Sequence, residues 1–303
     1  MPISRIDPRT ALKLLSGLRK IFRNWPVIVL FAVPGVVKGG LGAHVSVAEL
    51  RNSAGTCRIT LSNALSLHEL LQEGWTGRLV DSRHLLVKKG QIKITTRIDC
   101  GADLGHLLEI FEGRTYGESF RGKLVIDVGM SNGDSSIYFA IGGASTVIGL
   151  EPFPESYNLA VRNIAQNGLG DRIQTLRAAL SSVDGETRLR LSASNPNANS
   201  IKPSAAISSV IDFDSETKVQ AISLSSLLKL LGANQIGLLK LDCEGCEYTA
   251  LKSASVATLQ SIEEIRMEFH SGADGLPQLL RRAGFEVKFD TRNKIGYLLA
   301  KRQ

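Results

Sequence analysis

The chain has 303 residues, 43% hydrophobic and 21% charged, the proportions of an average globular protein with room for a substantial core. Four cysteines without regular spacing, Cys57, Cys100, Cys243 and Cys246, argue against a secreted disulfide scaffold and for a reducing compartment. The formal net charge is +7; all of the excess falls within the first 122 residues, and the remainder is balanced. That asymmetry suggests two functional zones, the first either a solvated basic surface or a face for an anionic partner such as a phosphorylated substrate, RNA or an acidic membrane.

Residues 10–33 place Leu12, Leu15, Leu18, Ile21, Phe22 and Trp25 at three- and four-residue steps, which predicts one amphipathic helical arm. The apolar run 25–37 follows Arg19, Lys20 and Arg23 and superficially mimics a signal peptide or anchor. It falls short of the ~20 residues of a spanning helix, and Pro34-Gly35 interrupts it, so a buried or interfacial helix is expected, with peripheral membrane contact as the second reading. Short runs at Cys57–Leu61, His84–Lys88 and Gln91–Ile98 predict a small β-rich segment over 56–98. Asp103–Phe111 reads as a helix with Asp103 as its N-cap.

From Lys123 strands and helices alternate. Strands are expected at 124–128, 146–150, 172–179, 236–242 and 262–270, with helices from 134, over 154–166 and over 274–283. The segments 285–290 and 295–300 lie too close for a crossover and should form an antiparallel hairpin. The Ser-, Asn- and Pro-rich stretch 192–217 reads either as a flap near the site or as a plain surface loop. The organisation expected is residues 1–115, a helical arm and small β-rich substrate or interaction region, followed by residues 116–303, a cofactor-binding domain.

The stretch LVIDVGMSNGD, 124–134, runs an apolar strand into a glycine turn, the usual cradle for a nucleotide-like cofactor. Gly129-Met130-Ser131-Asn132-Gly133 lacks the middle glycine of a dinucleotide turn, and no Gly-Lys-Ser/Thr follows for a phosphate loop. S-adenosylmethionine carries no phosphates. It needs room for a sulfonium and an amino-acid tail, which Asp127 and the turn can supply, and an acid for two ribose hydroxyls. Glu151, followed by Pro152 at the end of the next strand, is that acid. Further on, Lys240-Leu241-Asp242-Cys243-Glu244-Gly245-Cys246-Glu247 ends a buried strand with three carboxylates in six positions, Asp242, Glu244 and Glu247, whose repulsion calls for a cation, a donor or a shared proton. In Met267-Glu268-Phe269-His270 the alternation of a strand puts Glu268 and His270 on one face.

These motifs resemble the FkbM family of methyltransferases. The resemblance rests on VIDVGMSNGDSS with Glu151-Pro152, Asn163 and Asn167 in RNIAQNG, Ala178-Ala179-Leu180, LLKLDCEGCEYTAL, and MEFH followed by LLRRAGF, and covers roughly residues 115–300. It implies a class I methyltransferase (Rossmann-like) doubly wound α/β sheet, mostly parallel with an antiparallel C-terminal hairpin, preceded by an N-terminal α+β extension. S-adenosylmethionine would be held by Asp127, Gly129, Ser131, Asn132, Gly133, Glu151, Pro152, Ala178, Ala179 and Asp242. The turn departs from the family's Gly-Ala-Asn-x-Gly at Met130 and Ser131. Cys243 and Cys246 stand where the family has small apolar residues, which makes them space-fillers rather than ligands; a structural zinc would also need two further ligands.

The activity implied is O-methylation of a sugar, glycolipid or other small hydroxylated acceptor in the cytoplasm, with His270 or Asp242 as the base and Glu268 raising the pKa of His270. With His270 as base, the rate should climb through neutral pH. A divalent cation at Asp242, Glu244 and Glu268 is the less favoured way of acidifying the acceptor. Two other readings compete: an RNA methyltransferase using the basic first zone, and a non-catalytic cofactor-binding or scaffold protein.

Overall fold

Phe22 ends the first helix by leaving it to bridge Leu50, and Asn24 then accepts the Glu49 N–H. The computed structural model describes residues 8–29, 44–51, 55–203, 205–209, 211–290 and 294–302, and the chain divides into two units, Met1–Thr115 and Tyr116–Gln303. The expected single arm over 10–33 is thus two pieces, α1 (Pro8–Ile21) and α2 (residues 25–29). Ile28 is buried, and positions 30–37 of the apolar run lie outside the described residues.

The rest of the first unit is a mixture of strands and helices. β1 (His44–Ala48) pairs antiparallel with β2 (Cys57–Thr60). The next element, α3 (Leu61–Gln72), sits where only strands were expected; Thr60 caps it by accepting the Asn63 N–H, and Leu61, Ala64, Leu67 and Leu70 form its buried stripe. β3 (Thr76–Leu79), β4 (His84–Lys89) and β5 (Ile92–Arg97) make an antiparallel meander. α4 (Asp103–Leu107) runs into a π-helical turn at Leu108–Glu112. Ala102, not Asp103, occupies the N-cap. The Asp103 carboxylate instead takes the Arg97 backbone N–H and guanidinium at 2.9–3.1 Å, both side chains wholly buried.

In the second unit the elements are β6 (Leu124–Val128), α5 (Asp134–Ile141), β7 (Thr146–Leu150), α6 (Pro154–Gln166), β8 (Ile173–Leu176), β9 (Ala179–Ser181), β10 (Gly185–Leu191), α7 (Ala205–Ser208), β11 (Ser215–Ser223), α8 (Leu224–Leu231), β12 (Leu238–Leu241), α9 (Cys246–Ser253), α10 (Val256–Gln260), β13 (Glu264–Phe269), α11 (Leu276–Arg282), β14 (Phe285–Phe289) and β15 (Gly296–Arg302). Seven strands form one sheet in the order β14-β15-β13-β12-β6-β7-β8. The pairs from β13 to β8 are parallel, and β15 runs antiparallel between β13 and β14. This is the doubly wound α/β sheet of class I methyltransferases. The central strands β6, β7 and β12 are nearly continuous apolar runs because helices cover both faces of a parallel sheet.

The segment expected as one strand over 172–179 splits, because the Ala178 N–H turns back to the Leu176 carbonyl. The second piece, β9, joins a satellite sheet of order β10-β11-β9. Among the described residues no helix is long and apolar enough to cross a membrane.

Candidate active site

Two turns leave the carboxyl ends of the adjacent parallel strands β6 and β12, the position at which open α/β sheets hold ligands. The first is the glycine turn, 129–133. Gly129 has φ +78°, and a Cβ there would lie 1.9 Å from the Asp242 carbonyl oxygen. The glycine is therefore required by the approach of the second turn. Gly133, at φ +89°, caps α5, and its Cβ would meet the Ala160 backbone at 3.1 Å. Ser131 holds a left-handed φ of 46° without being glycine, the kind of local strain that concentrates at functional sites. Met130 is buried, its sulfur lying under Gly149 where any Cβ would collide.

Asp127 and Asn132, both expected at the cofactor, are wholly enclosed and shape the turn from within. Asp127 accepts from Ser135 Oγ at 2.7 Å and Ser136 Oγ at 2.6 Å and pairs with Lys240 Nζ at 3.1 Å. Asn132 Oδ1 accepts the Asp134 N–H, while its carbonyl accepts from Asn163 Nδ2 at 2.8 Å. Glu151 stands beside the turn at the end of β7. One carboxylate oxygen takes the Ser131 N–H at 3.1 Å and the other the Phe153 N–H at 2.8 Å. A carboxylate has about four acceptor positions, so holding these N–H groups does not by itself keep it from accepting a ribose hydroxyl. Pro152 follows half-buried. Ala178 is half-buried and Ala179 buried, just past the end of the neighbouring strand β8.

The second turn, 242–245, carries the acids. Glu244 is left-handed at φ 57° and Gly245 has φ 120°. This reversal brings the Cα atoms of Cys243 and Cys246 to 5.5 Å, and their sulfurs are bonded. The two cysteines are thus a disulfide, which corrects their reading as space-fillers. Glu247 is buried and opens α9 by accepting the Cys243 and Gly245 N–H groups at 3.0 and 2.8 Å. Asp242 is partly exposed. It accepts from the Tyr116 hydroxyl at 3.0 Å, and Lys240 Nζ lies 3.8 Å away.

The repulsion among these acids is relieved by two cations. Burial alone would lower the pKa of Lys240, but Asp127 and Asp242 outweigh it and raise it, so the lysine is charged. Its Nζ also donates to the Gly129 carbonyl at 2.7 Å, tying the two turns together. His270, just past the end of β13, is buried. Its Nε2 lies 3.4 Å from Glu244 and 4.0 Å from Glu268, and its Nδ1 lies 3.7 Å from Glu247. Burial again works to lower the pKa, but Glu247, Glu244 and Asp242 carry it to about 10. With its pKa pushed up to about 10, the ring favours the imidazolium at neutral pH, a form with no lone pair with which to act as a base. That charge favours Asp242 over His270 as the base candidate of the two expected from the sequence. Asp242, Glu268 and His270 present ligand-type atoms within 4.8 Å of one another, close enough to share a cation; the ring's own proton already brings a positive charge there.

The link between β10 and β11 lies against both turns. Asn197 Nδ2 donates to Ser131 Oγ at 3.2 Å, and Ser200 Oγ donates to the Glu244 carbonyl. Two site residues were not anticipated, Tyr116 and Lys240. Burial, with the charges of Asp242 and Glu268, pushes the Tyr116 hydroxyl well above its ordinary range, so it remains a donor to Asp242. Lys240 had a sequence signal: a lysine inside an otherwise apolar strand must find buried partners.

A family model, the methyltransferase FkbM domain, matches residues 127–287, just over half of the chain, including both turns. The chain belongs to the FkbM methyltransferase family. No curated protein matches it. Among solved structures, the chain is similar to an FkbM methyltransferase from Methylobacillus flagellatus KT, with 14% identity, 59% of this chain and 43% of that chain covered, and a TM-score of 0.41. The likeness thus spans less than half of the M. flagellatus chain. It is also similar to the magnesium protoporphyrin IX methyltransferase of Synechocystis PCC 6803, solved with bound S-adenosylmethionine, at 12% identity over 66% of this chain and 79% of that one, TM-score 0.39. A third is a S-adenosylmethionine-dependent methyltransferase, named as putative, from Streptococcus mutans, at 10% identity over 74% and 57%, TM-score 0.45. The FkbM domain begins within β6, so the first unit lies outside the family match.

Proposed function

We propose that this FkbM-family chain transfers a methyl group from S-adenosylmethionine to a hydroxyl of a small polyhydroxylated acceptor, such as a sugar or the headgroup of a glycolipid. The observation that carries this reading is the junction of the two turns: Gly129 and Asp242 meet backbone to backbone, which puts the Glu151 side of the site next to the Asp242 side. The residues fit the cofactor, since Glu151 matches a ribose diol and the carboxylates of the second turn match a sulfonium's charge. S-adenosylmethionine, when bound, supplies an electrophilic methyl on a cationic sulfur.

The chain's own groups do the rest. Tyr116 and Lys240 fix the Asp242 carboxylate, which receives the acceptor's proton as the oxygen takes the methyl. His270, as imidazolium, offsets the charge of Glu244, Glu247 and Glu268 and keeps Asp242 from sharing a proton with them. Methyl transfer to oxygen needs alignment more than strong acid catalysis, and an Asp242 carboxylate held by buried charge pairs suits that demand. A cytoplasmic setting remains part of this reading on the sparse cysteines, with Cys243–Cys246 then an exchangeable bond.

The test is S-adenosylhomocysteine release across a panel of sugars, lipids and RNA. Asp242→Asn is expected to lower turnover about 10²- to 10⁴-fold on the active acceptor. A variant within a few-fold of the parent removes Asp242 as the base, and release with RNA alone replaces the acceptor class.

A further inference from the structure

The first unit contains a cavity of about 360 Å³ that the methyl-transfer site does not use. Its floor is apolar, built from Ile21, Leu50, Leu67, Leu71 and Leu86. Its rim carries four cations, Lys20, Arg51, Arg78 and Lys88. Among the described residues no carboxylate lines it, and the ion pairs of this unit join other groups: Arg83 to Asp99, His84 to Asp81, Lys89 to Glu112 and Arg97 to Asp103. The cations of those pairs are matched with acids, whereas the cleft gathers four cations and no acid among its described lining residues.

We propose that this cleft binds a single-chain amphiphile whose apolar tail lies on the leucine floor and whose phosphate head is held by the Lys20, Arg51, Arg78 and Lys88 rim. Each half of the ligand answers one feature of the cleft. Four like charges around one opening repel unless an anion enters, and an anion with several oxygens can take charge-assisted hydrogen bonds from more than one of them. A purely solvated basic face would need no apolar floor, and Leu71 and Leu86 remain partly open to solvent within it. The volume lies within the range of about 300–1,000 Å³ usual for small-molecule sites. A nucleic acid fits less well, because no described lining residue is aromatic and bases would have nothing to stack on. The basic excess of the amino-terminal part of the sequence thereby finds a specific use that is independent of the methyl-transfer reading.

The experiment is calorimetric titration of the full chain with dodecyl phosphate below its micelle concentration, beside dodecyl maltoside and inorganic phosphate. Dodecyl phosphate is expected to bind saturably, at least about tenfold more tightly than either comparison ligand, since head and tail both contribute. Arg78→Glu/Lys88→Glu, at two exposed positions, should weaken it about tenfold or more, and Leu71→Trp, which fills the floor without adding charge, should weaken it as well. Unchanged circular dichroism and melting temperature show that the variants fold. Equal binding of the maltoside means the rim plays no part, and equal binding of inorganic phosphate means the floor plays none; either result overturns the proposal. So does undiminished binding by the charge-reversed variant, or displacement of the dodecyl phosphate by a single-stranded oligonucleotide at equal concentration.

Discussion

The glycine turn and the acid turn leave neighbouring strands of one sheet, and each contains one non-glycine residue forced into the left-handed region, Ser131 and Glu244. They handle polarity in opposite ways. Around the glycine turn most polar groups are met by neutral donors and amides, Ser135, Ser136, Asn132 and Asn163, so the turn is a fixed mount. Around the acid turn the interactions are between full charges, Asp242, Glu244, Glu247 and Glu268 against Lys240 and His270. A mount must not respond to its ligand, whereas a proton-accepting site must hold a charge that the reaction can change. Under the proposed function, the difference suits the glycine turn to holding the cofactor's ribose and the acid turn to facing the sulfonium and receiving the acceptor's proton.

Lys240 belongs to both turns, so its removal should have the largest effect. Lys240→Met leaves Asp127 buried without its cation and is expected to cost about 3–5 kcal/mol in chemical denaturation. The double variant with Asp127→Asn should recover a large part of that loss. A single variant as stable as the parent would mean that the two turns are not joined through this lysine. Next in size, Glu151→Ala should weaken S-adenosylmethionine binding by about 1.5–3 kcal/mol in calorimetry, with little change in the acid turn. Equal affinity would take the binding role away from the glycine side. The smallest effect is expected from Cys243→Ser/Cys246→Ser. The loop the disulfide closes is short, so stability should fall by no more than about 2 kcal/mol, read from the denaturation midpoint. A larger fall would show that the bond, rather than Glu247, holds the acid turn in shape.

How legible these features were in the sequence follows from how local they are. The alternation after Lys123 and the Glu151-Pro152 pair can be read because each is carried by a strand end or a short period. α3 was missed: Leu61, Ala64, Leu67 and Leu70 recur every three residues, but serines and an asparagine between them blur the stripe. The satellite pair β10 and β11 is polar on one face and joined by a Ser- and Asn-rich link, so it was not anticipated as strands. Asp242, Glu268 and His270 were picked out by their place at strand ends, and the fold brings them within reach of one another. The partnership of Tyr116 with Asp242 spans 126 positions and leaves no local trace. A raised pKa for His270 was expected from Glu268, but its main sources, Glu247, Glu244 and Asp242, come from the turn after β12 and the start of α9, which the sequence does not place beside the ring.

The charge of His270 is where the division between mount and chemistry is most exposed. A pKa raised from 6.5 to about 10 in the folded protein means that His270 contributes stability in full below about pH 6.5, and that the contribution is lost as pH rises through about 10. It also means that turnover should show no histidine limb between about pH 6 and 8. The direct measurement is a nuclear magnetic resonance titration of the His270 ring, assigned by comparison with His270→Gln. The ring is expected to remain protonated beyond pH 8 and to titrate near 10. A midpoint close to 6.5 would contradict the account, because the ring would then be neutral at working pH and free to act as the base in place of Asp242.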